Sequence, residues 1–187
     1  MGSSKAWLPF GPELMLPRVV RLLSEIVSPI VVVAAEDQEL PPLPAHVLIA
    51  RDAQPDCGPL AGLAAGFARL GDAVEVAYAT GCDVPLLNAG FVAAMIAQLG
   101  EHEIAVPYDD AFPHPLAAVY RLRILPQILS LLAEDRLRTT LLFNRVDTLP
   151  VPVEALRSVD PELRTLMNLN RPEDYQAALA IAGFSIS

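Results

Sequence analysis

Asp83 is the residue of this sequence best placed to do chemistry, because it directly follows a stretch that reads as an apolar strand. That stretch is VEVAYAT (74–80), and GCDVP comes after it, with Pro85 stopping an immediate helix. A carboxylate at a strand end can hold a divalent cation that bridges to phosphate oxygens. The alternative is a structural cap for the turn or for a helix starting near Asn88. The motif alone leaves both interpretations open.

Two further features follow the preceding predicted strand, HVLIA (46–50). Asp52 could accept hydrogen bonds from a ribose hydroxyl, or it could be an ordinary solvated loop residue. GPLAG (58–62) places small residues at a helix start, where close backbone approach and the positive helix end suit a phosphate or sugar hydroxyl. A plain strand-to-helix turn at Gly58, with Gly62 packed against the sheet, is the better explanation when this short motif is taken singly.

The C-terminal part holds an asparagine pair in NLNRPED (168–174). Asn168 and Asn170 are two residues apart, so both side chains leave one face of the segment if it is extended. Such amides either bind a polar ligand or buttress neighbouring loops. His114 stands beside a proline, which is more typical of a packed or solvent-facing histidine than of a ligand. No Ser/His/Asp or Cys/His arrangement supports nucleophilic catalysis.

The composition of the chain limits the classes of protein to which it can belong. The chain has 187 residues, 53% of them apolar, and a formal net charge of −9. An acidic surface argues against binding to nucleic-acid backbones, which needs clustered Lys and Arg. The sequence has no run of 18 apolar residues and no secretory leader, so we expect a cytoplasmic protein without a membrane segment. Cys57 and Cys82 are predicted to be small, partly buried side chains in a reducing compartment.

Periodicity predicts strands alternating with helices. The predicted helices cover 12–27, 58–70, 88–99, 122–133, 139–144 and 172–182. The predicted strands cover 30–35, 46–50, 74–80, 104–107 and 116–120, with an edge strand at 148–153 and a short extended segment at 165–169. This order indicates an α/β protein with a mostly parallel sheet in a single domain, 1–187. Ligands of such sheets bind outside the carboxyl ends of the strands.

With these segments in order, the chain resembles the molybdenum cofactor guanylyltransferases, within the broader nucleotidyltransferase group. Successive blocks of that family match KAWLPFG (5–11), GPLAG, the CDVP turn (82–85), HPLAAVYR (114–121) and NLNRPEDY (168–175) at fitting distances. The resemblance covers the chain from its start to about residue 179. It implies a three-layer α/β/α, Rossmann-like domain.

The resemblance also implies an activity. Members of the family transfer GMP from Mg-GTP to molybdopterin and release pyrophosphate. Lys5 would then contact the nucleotide phosphates, and Asp83 would bind Mg²⁺. Asp52 and Gly58 would contact the nucleotide, and Asn168 and Asn170 would lie on the pterin side. The attacking group would be the terminal phosphate of the pterin cofactor, so GTP and molybdopterin are the expected partners.

The chain also departs from the family pattern. Family members begin with a short apolar strand and a glycine-rich loop of the form LAGGxSxRMG, of which only Met1-Gly2 is matched here. Without that strand we expect an unpaired slot beside Ile30–Ala35, which would favour self-association. We also expect weak or no transferase activity from the chain as written, and we favour an upstream start for the natural protein.

Two alternative functions stay open at this point. Ala35 and Glu36 occupy the position where family members often carry a base-contacting asparagine, so CTP or another acceptor would also suit a nucleotidyltransferase of this kind. A non-catalytic protein that binds the nucleotide or the cofactor is the alternative from a different functional class.

Overall fold

The structure of the chain is a computed structural model that describes residues 5–52, 58–110 and 112–184. Its helices are α1 (Met15–Ser24), α2 (Gly58–Leu70), α3 (Ala89–Gln98), α4 (Leu125–Ala133), α5 (Thr139–Phe143), α6 (Val153–Leu156) and α7 (Pro172–Ile181). All of them overlap predicted helices except α6, which was not predicted. Within the described residues, no helix combines the length and the apolar character that crossing a membrane would require.

The strands form three groups. They are β1 (Pro9–Phe10), β2 (Glu13–Leu14), β3 (Val31–Ala35), β4 (Leu48–Asp52), β5 (Val76–Thr80), β6 (Ile104–Asp109), β7 (Phe112–Pro113), β8 (Ala117–Arg121) and β9 (Thr148–Pro152). β1 and β2 make a hairpin, and β3 pairs with β4 in a parallel ladder. The larger sheet has the order β5-β8-β6, and β6 also pairs with β9 and β7.

Helices cover both faces of the larger sheet, as the three-layer prediction requires. Successive residues of β8 point to opposite faces. Ala118 and Tyr120 pack in the cluster that contains α2 and α4 side chains, whereas Ala117 and Val119 pack with α3. The same alternation separates Ile104 from its neighbour in β6. The α/β class and the α/β/α layering are therefore confirmed.

Helix α2 packs on both sheets and holds them together. Leu60 and Phe67 belong to the cluster of the larger sheet, next to Tyr120. On the smaller sheet, Gly66 faces β3 so closely that a Cβ there would lie 3.3 Å from Cγ2 of Val33. A larger residue at position 66 would therefore push α2 away from β3.

The sheet is mixed, and the prediction of a mostly parallel sheet was wrong. β3 runs parallel to β4, and β6 runs parallel to β9, but β8 is antiparallel to both β5 and β6. Only residues 110–116 connect β6 to β8. A parallel connection needs a crossover of a dozen or more residues, so this short segment forces the chain to reverse.

Two local predictions were also wrong. The helix predicted over 12–27 is shorter, because residues 9–14 form the β1–β2 hairpin and α1 covers only Met15–Ser24. The segment predicted to be extended over 165–169 begins instead with a 3₁₀ turn, Arg164–Leu166. Both errors have the same origin, since apolar spacing does not distinguish a short turn or hairpin from the helix or strand beside it.

The predicted unpaired edge lies beside β3. Among the described residues, no strand pairs with β3 on the side away from β4, and none pairs with β5 on the side away from β8. The two sheets are consequently joined through helix packing and not through a shared hydrogen-bond ladder.

We predict that the α2 packing dominates the stability of this part of the fold. Leu60 is completely buried in the cluster that it shares with the larger sheet, whereas Leu129 on α4 is 51% exposed. Leu60→Ala should lower the free energy of unfolding by about 2–5 kcal/mol, because it leaves a cavity. The matched Leu129→Ala should change it by no more than about 0.5 kcal/mol. Urea denaturation measures both, and equal losses would contradict the packing described.

Candidate active site

Three of the predicted site residues meet at one point. The Lys5 ammonium donates to Oδ2 of Asp83 at 2.7 Å and to Oδ1 of Asn170 at 2.9 Å. Positions 5, 83 and 170 come from the beginning, the middle and the end of the sequence. A cation, an anion and an amide at such distances form a polar cluster that can exchange these internal bonds for bonds to a charged ligand.

The N-terminal segment positions Lys5 through its own turn. Lys5 begins a 3₁₀ turn, Lys5–Trp7, which is closed by a hydrogen bond from the Leu8 N–H to the Lys5 carbonyl. The Met15 N–H then donates to the Leu8 carbonyl at 2.8 Å, so the turn is attached to the start of α1. Trp7 Nε1 donates to the Glu39 carbonyl at 3.2 Å. These bonds fix the turn that carries Lys5.

Asp83 follows β5, and it does not cap α3. That role belongs to Asn88, whose side-chain oxygen accepts from the N–H groups of Gly90 and Phe91 at 2.7 and 3.3 Å. The other oxygen of Asp83, Oδ1, lies close to Gly81, where a Cβ would approach it to 2.6 Å. The sequence therefore needs a glycine at position 81 for this carboxylate to take its place.

Asn170 is held in place by the start of α7 and by the Asp83 loop. The Leu169 N–H donates to the Asp83 carbonyl at 3.1 Å, which joins the two loops directly. Asp174 accepts from the N–H groups of Asn170 and Arg171 at 3.1 and 2.8 Å. A carboxylate in the first turn of a helix satisfies N–H groups that have no partner inside the helix.

Three predicted site residues, Gly58, Asp52 and Asn168, are not members of this cluster. Gly58 opens α2 with a positive φ of 65°, a conformation that favours glycine. Asp52 ends β4 beside Ala35 of β3, at the carboxyl edge of the smaller sheet. Asn168 is exposed and lines a cleft together with residues 113–117. The loop between Asp52 and Gly58, with Cys57, falls outside the described residues.

The cluster is partly buried and carries the only lysine of the chain. The Lys5 and Asp83 side chains are 33% and 18% exposed, and the other twelve basic residues are all arginines. Burial, and then the negative charge of Asp83, raise the pKa of the neighbouring Cys82 thiol. Cys82 packs against the α1–β3 cluster. A protonated thiol that packs against apolar side chains behaves as a small apolar group, as predicted for Cys82.

The donor set suits a magnesium ion that is shared with a substrate. The described residues contain no group of three or more His, Cys, Asp or Glu side chains that could enclose a metal. Mg²⁺, however, is usually held by one or two carboxylates together with substrate phosphates and water. Asp83 at a strand end supplies such a carboxylate, so the residues present fit the group.

Sequence reasoning reached Lys5 only through the family resemblance, and it missed Asp160. A signal for Lys5 was available in the sequence itself, because the other twelve residues in the Lys and Arg count are all arginines. Asp160 is buried, and its carboxylate accepts from the N–H groups of Arg164 and Thr165 at 3.0 and 2.9 Å. It fixes the segment that leads to the asparagine pair, and no local pattern indicated it.

Comparisons with known sequences identify the family of the chain. Residues 1–148 match the family model of the MobA-like NTP transferase domain. The molybdenum cofactor guanylyltransferase of Desulfosudis oleivorans is 28% identical over 96% of this chain and 87% of its own length. The probable molybdenum cofactor guanylyltransferase of Mycobacterium bovis is 32% identical over the same shares of the two sequences.

Solved structures show the same fold. Molybdopterin-guanine dinucleotide biosynthesis protein A from Archaeoglobus fulgidus superposes with a TM-score of 0.79 at 19% identity, over 97% of this chain and 92% of its own. A 2-C-methyl-D-erythritol 4-phosphate cytidylyltransferase from Thermus thermophilus gives 0.68 at 17% identity, over 97% and 95%. Taken with the sequence matches, the fold and the placement of Lys5 beside Asp83 lead to one conclusion: the chain belongs to the molybdenum cofactor guanylyltransferase family of nucleotidyltransferases.

Proposed function

We propose that this chain transfers GMP from Mg-GTP to molybdopterin and releases pyrophosphate, at the weak rate expected from its departure from the glycine-rich loop of the family. The contact of Lys5 with both Asp83 and Asn170 carries the proposal, because it gathers a phosphate-binding cation, a metal-binding carboxylate and an amide at one sheet edge. The names of the relatives support the choice of substrates.

In this reaction an oxygen of the terminal phosphate of molybdopterin forms a bond to the α-phosphorus of GTP. The bond from that phosphorus to the bridging oxygen breaks, and pyrophosphate leaves with the electron pair. The attacking phosphate is already an anion at neutral pH, so the site needs to orient it and stabilise charge without a strong general base.

Lys5 would neutralise the nucleotide phosphates. Its ammonium is bonded to Asp83 and Asn170. A triphosphate brings several anionic oxygens, which compete well for the ammonium of a side chain that is one-third exposed. Asn170, anchored through Asp174, would keep the ammonium aligned while it contacts the substrate.

Asp83 would hold the magnesium ion when the nucleotide binds. Bound there, Mg²⁺ supplies charge stabilisation on the phosphoryl oxygens and on the departing pyrophosphate. The chain contributes the position of the carboxylate, which Gly81 permits and the Leu169 N–H bond fixes from the other side. Gly58, Asp52 and Asn168 keep their proposed roles toward the nucleotide and the pterin.

The end of β3 bears on the alternative nucleotide, CTP. Ala35 presents no side-chain polar group to a base, and its carbonyl accepts from Nη1 of Arg51 at 2.9 Å. The same Arg51 nitrogen donates to the Gln38 carbonyl at 2.7 Å. The Arg51 guanidinium thus holds this loop through two backbone carbonyls. CTP is the second nucleotide to test beside GTP.

Substitution of the cluster tests the proposal. Lys5→Gln and Asp83→Asn should each weaken Mg-GTP binding and lower kcat/KM for transfer by about a hundredfold, since each removes charge stabilisation. The free energy of unfolding should change by less than about 1 kcal/mol, because partly exposed ion pairs contribute little to stability. Calorimetry, pyrophosphate release and urea denaturation provide the three measurements.

Arg69→Gln, at an exposed position on α2, is the charge-matched control and should leave binding unchanged. Metal-dependent GTP binding that survives Asp83→Asn would contradict the site. Preferential binding of CTP by the unmodified chain would shift the proposal to the alternative nucleotide.

The single lysine allows a direct test of phosphate contact. Pyridoxal 5′-phosphate with borohydride modifies accessible amines, so Lys5 is the only side chain that it should label. We expect Mg-GTP to protect Lys5 from labelling, as measured by peptide mass spectrometry, because the bound phosphates cover the ammonium. The N-terminal amine serves as the internal reference, and equal labelling with and without Mg-GTP would contradict the contact.

We further propose a cytoplasmic location and self-association through the unpaired edges of β3 and β5. Open edges present N–H and C=O groups to which a strand of a second copy can add. Size-exclusion chromatography with light scattering should then give twice the 20.1 kDa mass of one chain. A monomer across the accessible concentration range would overturn this proposal and leave the proposed chemistry untouched.

A further inference from the structure

We propose that Arg18 is a positioning residue that holds the carboxylate of Asp83 where the magnesium ion and the nucleotide phosphates meet. This inference rests on the proposed function, and it adds a residue of α1 that acts through its neighbours. The Arg18 Nε–H donates to the Pro85 carbonyl at 2.8 Å, two residues beyond Asp83. Arg18 thereby attaches the loop that carries the metal-binding carboxylate to a helix.

The Asp83 loop (81–85) is held from two directions. On one side the Leu169 N–H donates to the Asp83 carbonyl at 3.1 Å, and on the other side Arg18 holds the Pro85 carbonyl. Between these carbonyls, Val84 is 1% exposed and packs with apolar side chains of α1. Apolar contacts have no preferred direction, so the hydrogen bond from Arg18 sets the orientation of the loop on the helix.

Arg18 is itself fixed by its surroundings. Its side chain is 15% exposed, and its Nη1 donates to Oε2 of Glu13 at 3.1 Å. Its guanidinium carbon lies 4.9 Å from the ring centre of Phe10 and 5.8 Å from that of Phe184. A planar guanidinium that bonds to a carboxylate and lies over aromatic rings has little freedom, so its Nε–H keeps one direction.

The same contacts connect Arg18 to the segment that carries Lys5. Phe10 and Glu13 lie in β1 and β2, the hairpin that directly follows the turn beginning at Lys5. Arg18 therefore contacts both the hairpin after Lys5 and the loop after Asp83, and it fixes the two opposite charges of the site relative to each other. Residues that orient a metal ligand in this way typically contribute about 10- to 100-fold to metal affinity or activity.

Arg21, three residues further along α1, offers a matched control. Its Nε and Nη2 donate to the same Glu13 carboxylate at 2.8 and 3.1 Å, and its Nη1 donates to Glu25 at 3.1 Å. Its side chain is 48% exposed, and both of these partners lie outside the Asp83 loop. Arg18→Met and Arg21→Met thus remove the same charge from the same helix and the same carboxylate, but only Arg18→Met releases the Pro85 carbonyl.

The reactivity of Lys5 reports the position of Asp83 without any substrate. Pyridoxal 5′-phosphate with borohydride should label Lys5 several times faster in Arg18→Met than in the unmodified chain, because a displaced carboxylate no longer holds the ammonium. Arg21→Met should be labelled at the unmodified rate. In an Asp83→Asn background, Arg18→Met should add less than about twofold, since the group through which Arg18 acts is gone. A general loosening of the fold would instead speed labelling equally in both backgrounds.

The magnesium requirement of GTP binding is the second measurement. Arg18→Met should raise the Mg²⁺ concentration for half-maximal GTP binding about tenfold, because the carboxylate is less well aimed. GTP binding in EDTA should not weaken, since Lys5 is then freer to contact the phosphates. Arg18→Lys keeps the charge but lacks the guanidinium fork, so it should give a smaller increase in the Mg²⁺ requirement.

The outcomes separate this inference from the proposed function. An unchanged rate of Lys5 labelling or an unchanged Mg²⁺ requirement in Arg18→Met would overturn the inference, as would equal effects of Arg18→Met and Arg21→Met. If urea denaturation shows that Arg18→Met does not fold, the same two measurements on Arg18→Lys decide in the same way. Failure of the unmodified chain to transfer GMP would contradict the proposed function, and the labelling result would still decide what Arg18 does to Asp83.

Discussion

The arrangement of the site depends on one ammonium group. Lys5 Nζ lies within hydrogen-bond distance of oxygens on Asp83 and Asn170, which are 78 and 165 residues away in sequence. Both partners are anchored by further hydrogen bonds, Asp83 through its carbonyl to the Leu169 N–H and Asn170 through its N–H to the Asp174 carboxylate. An N-terminal turn, a strand-end loop and the start of the last helix are thereby brought to one edge of the sheet. This convergence gives the edge both charges that a phosphate-transfer site needs.

The layered fold explains why these loops can be so well fixed. Side chains of the larger sheet alternate between an α2–α4 cluster and an α3 cluster, so the central strands β6 and β8 are buried on both faces. α2 also packs on the smaller sheet, which shares no ladder with the larger one among the described residues. The positions of β3 and β4 relative to β5 are therefore set by helix packing. The N-terminal hairpin is secured separately, by Phe10 packing against Tyr175 and Phe184.

The reversal of β8 also bears on the chemistry. Because β8 is antiparallel to β5 and β6, its first residue, Ala117, lies opposite Thr80 at the end of β5. The segment entering β8 thus reaches the same sheet edge as Asp83, and that segment carries His114. In an all-parallel sheet it would enter at the opposite edge. The strand direction that the sequence analysis predicted wrongly is what places His114 at the same sheet edge as Asp83.

Interactions between residues close in sequence determined the helices and strands and the positions of several of their ends. Apolar periodicity placed α2, α3 and β9 within a residue or two, Asn88 was recognised as a cap, and the order of short motifs identified the family. These features depend on neighbours a few residues apart, which a sequence displays directly. Asp83 and Asn170 were identified as candidates from their own motifs and Lys5 through a family block, and their meeting is the feature that no local pattern contains.

Tertiary structure alone decided the strand directions, the partners of Asp83 and the cleft around His114. Residue spacing cannot tell that Asp83 pairs with Lys5 instead of capping a helix, because the choice depends on which loops share a sheet edge. It cannot show that a histidine beside a proline faces Asp109 and a cavity, since burial is set by elements distant in sequence. The residue types were fixed by the sequence, whereas their chemistry follows from the long-range packing that brings them together.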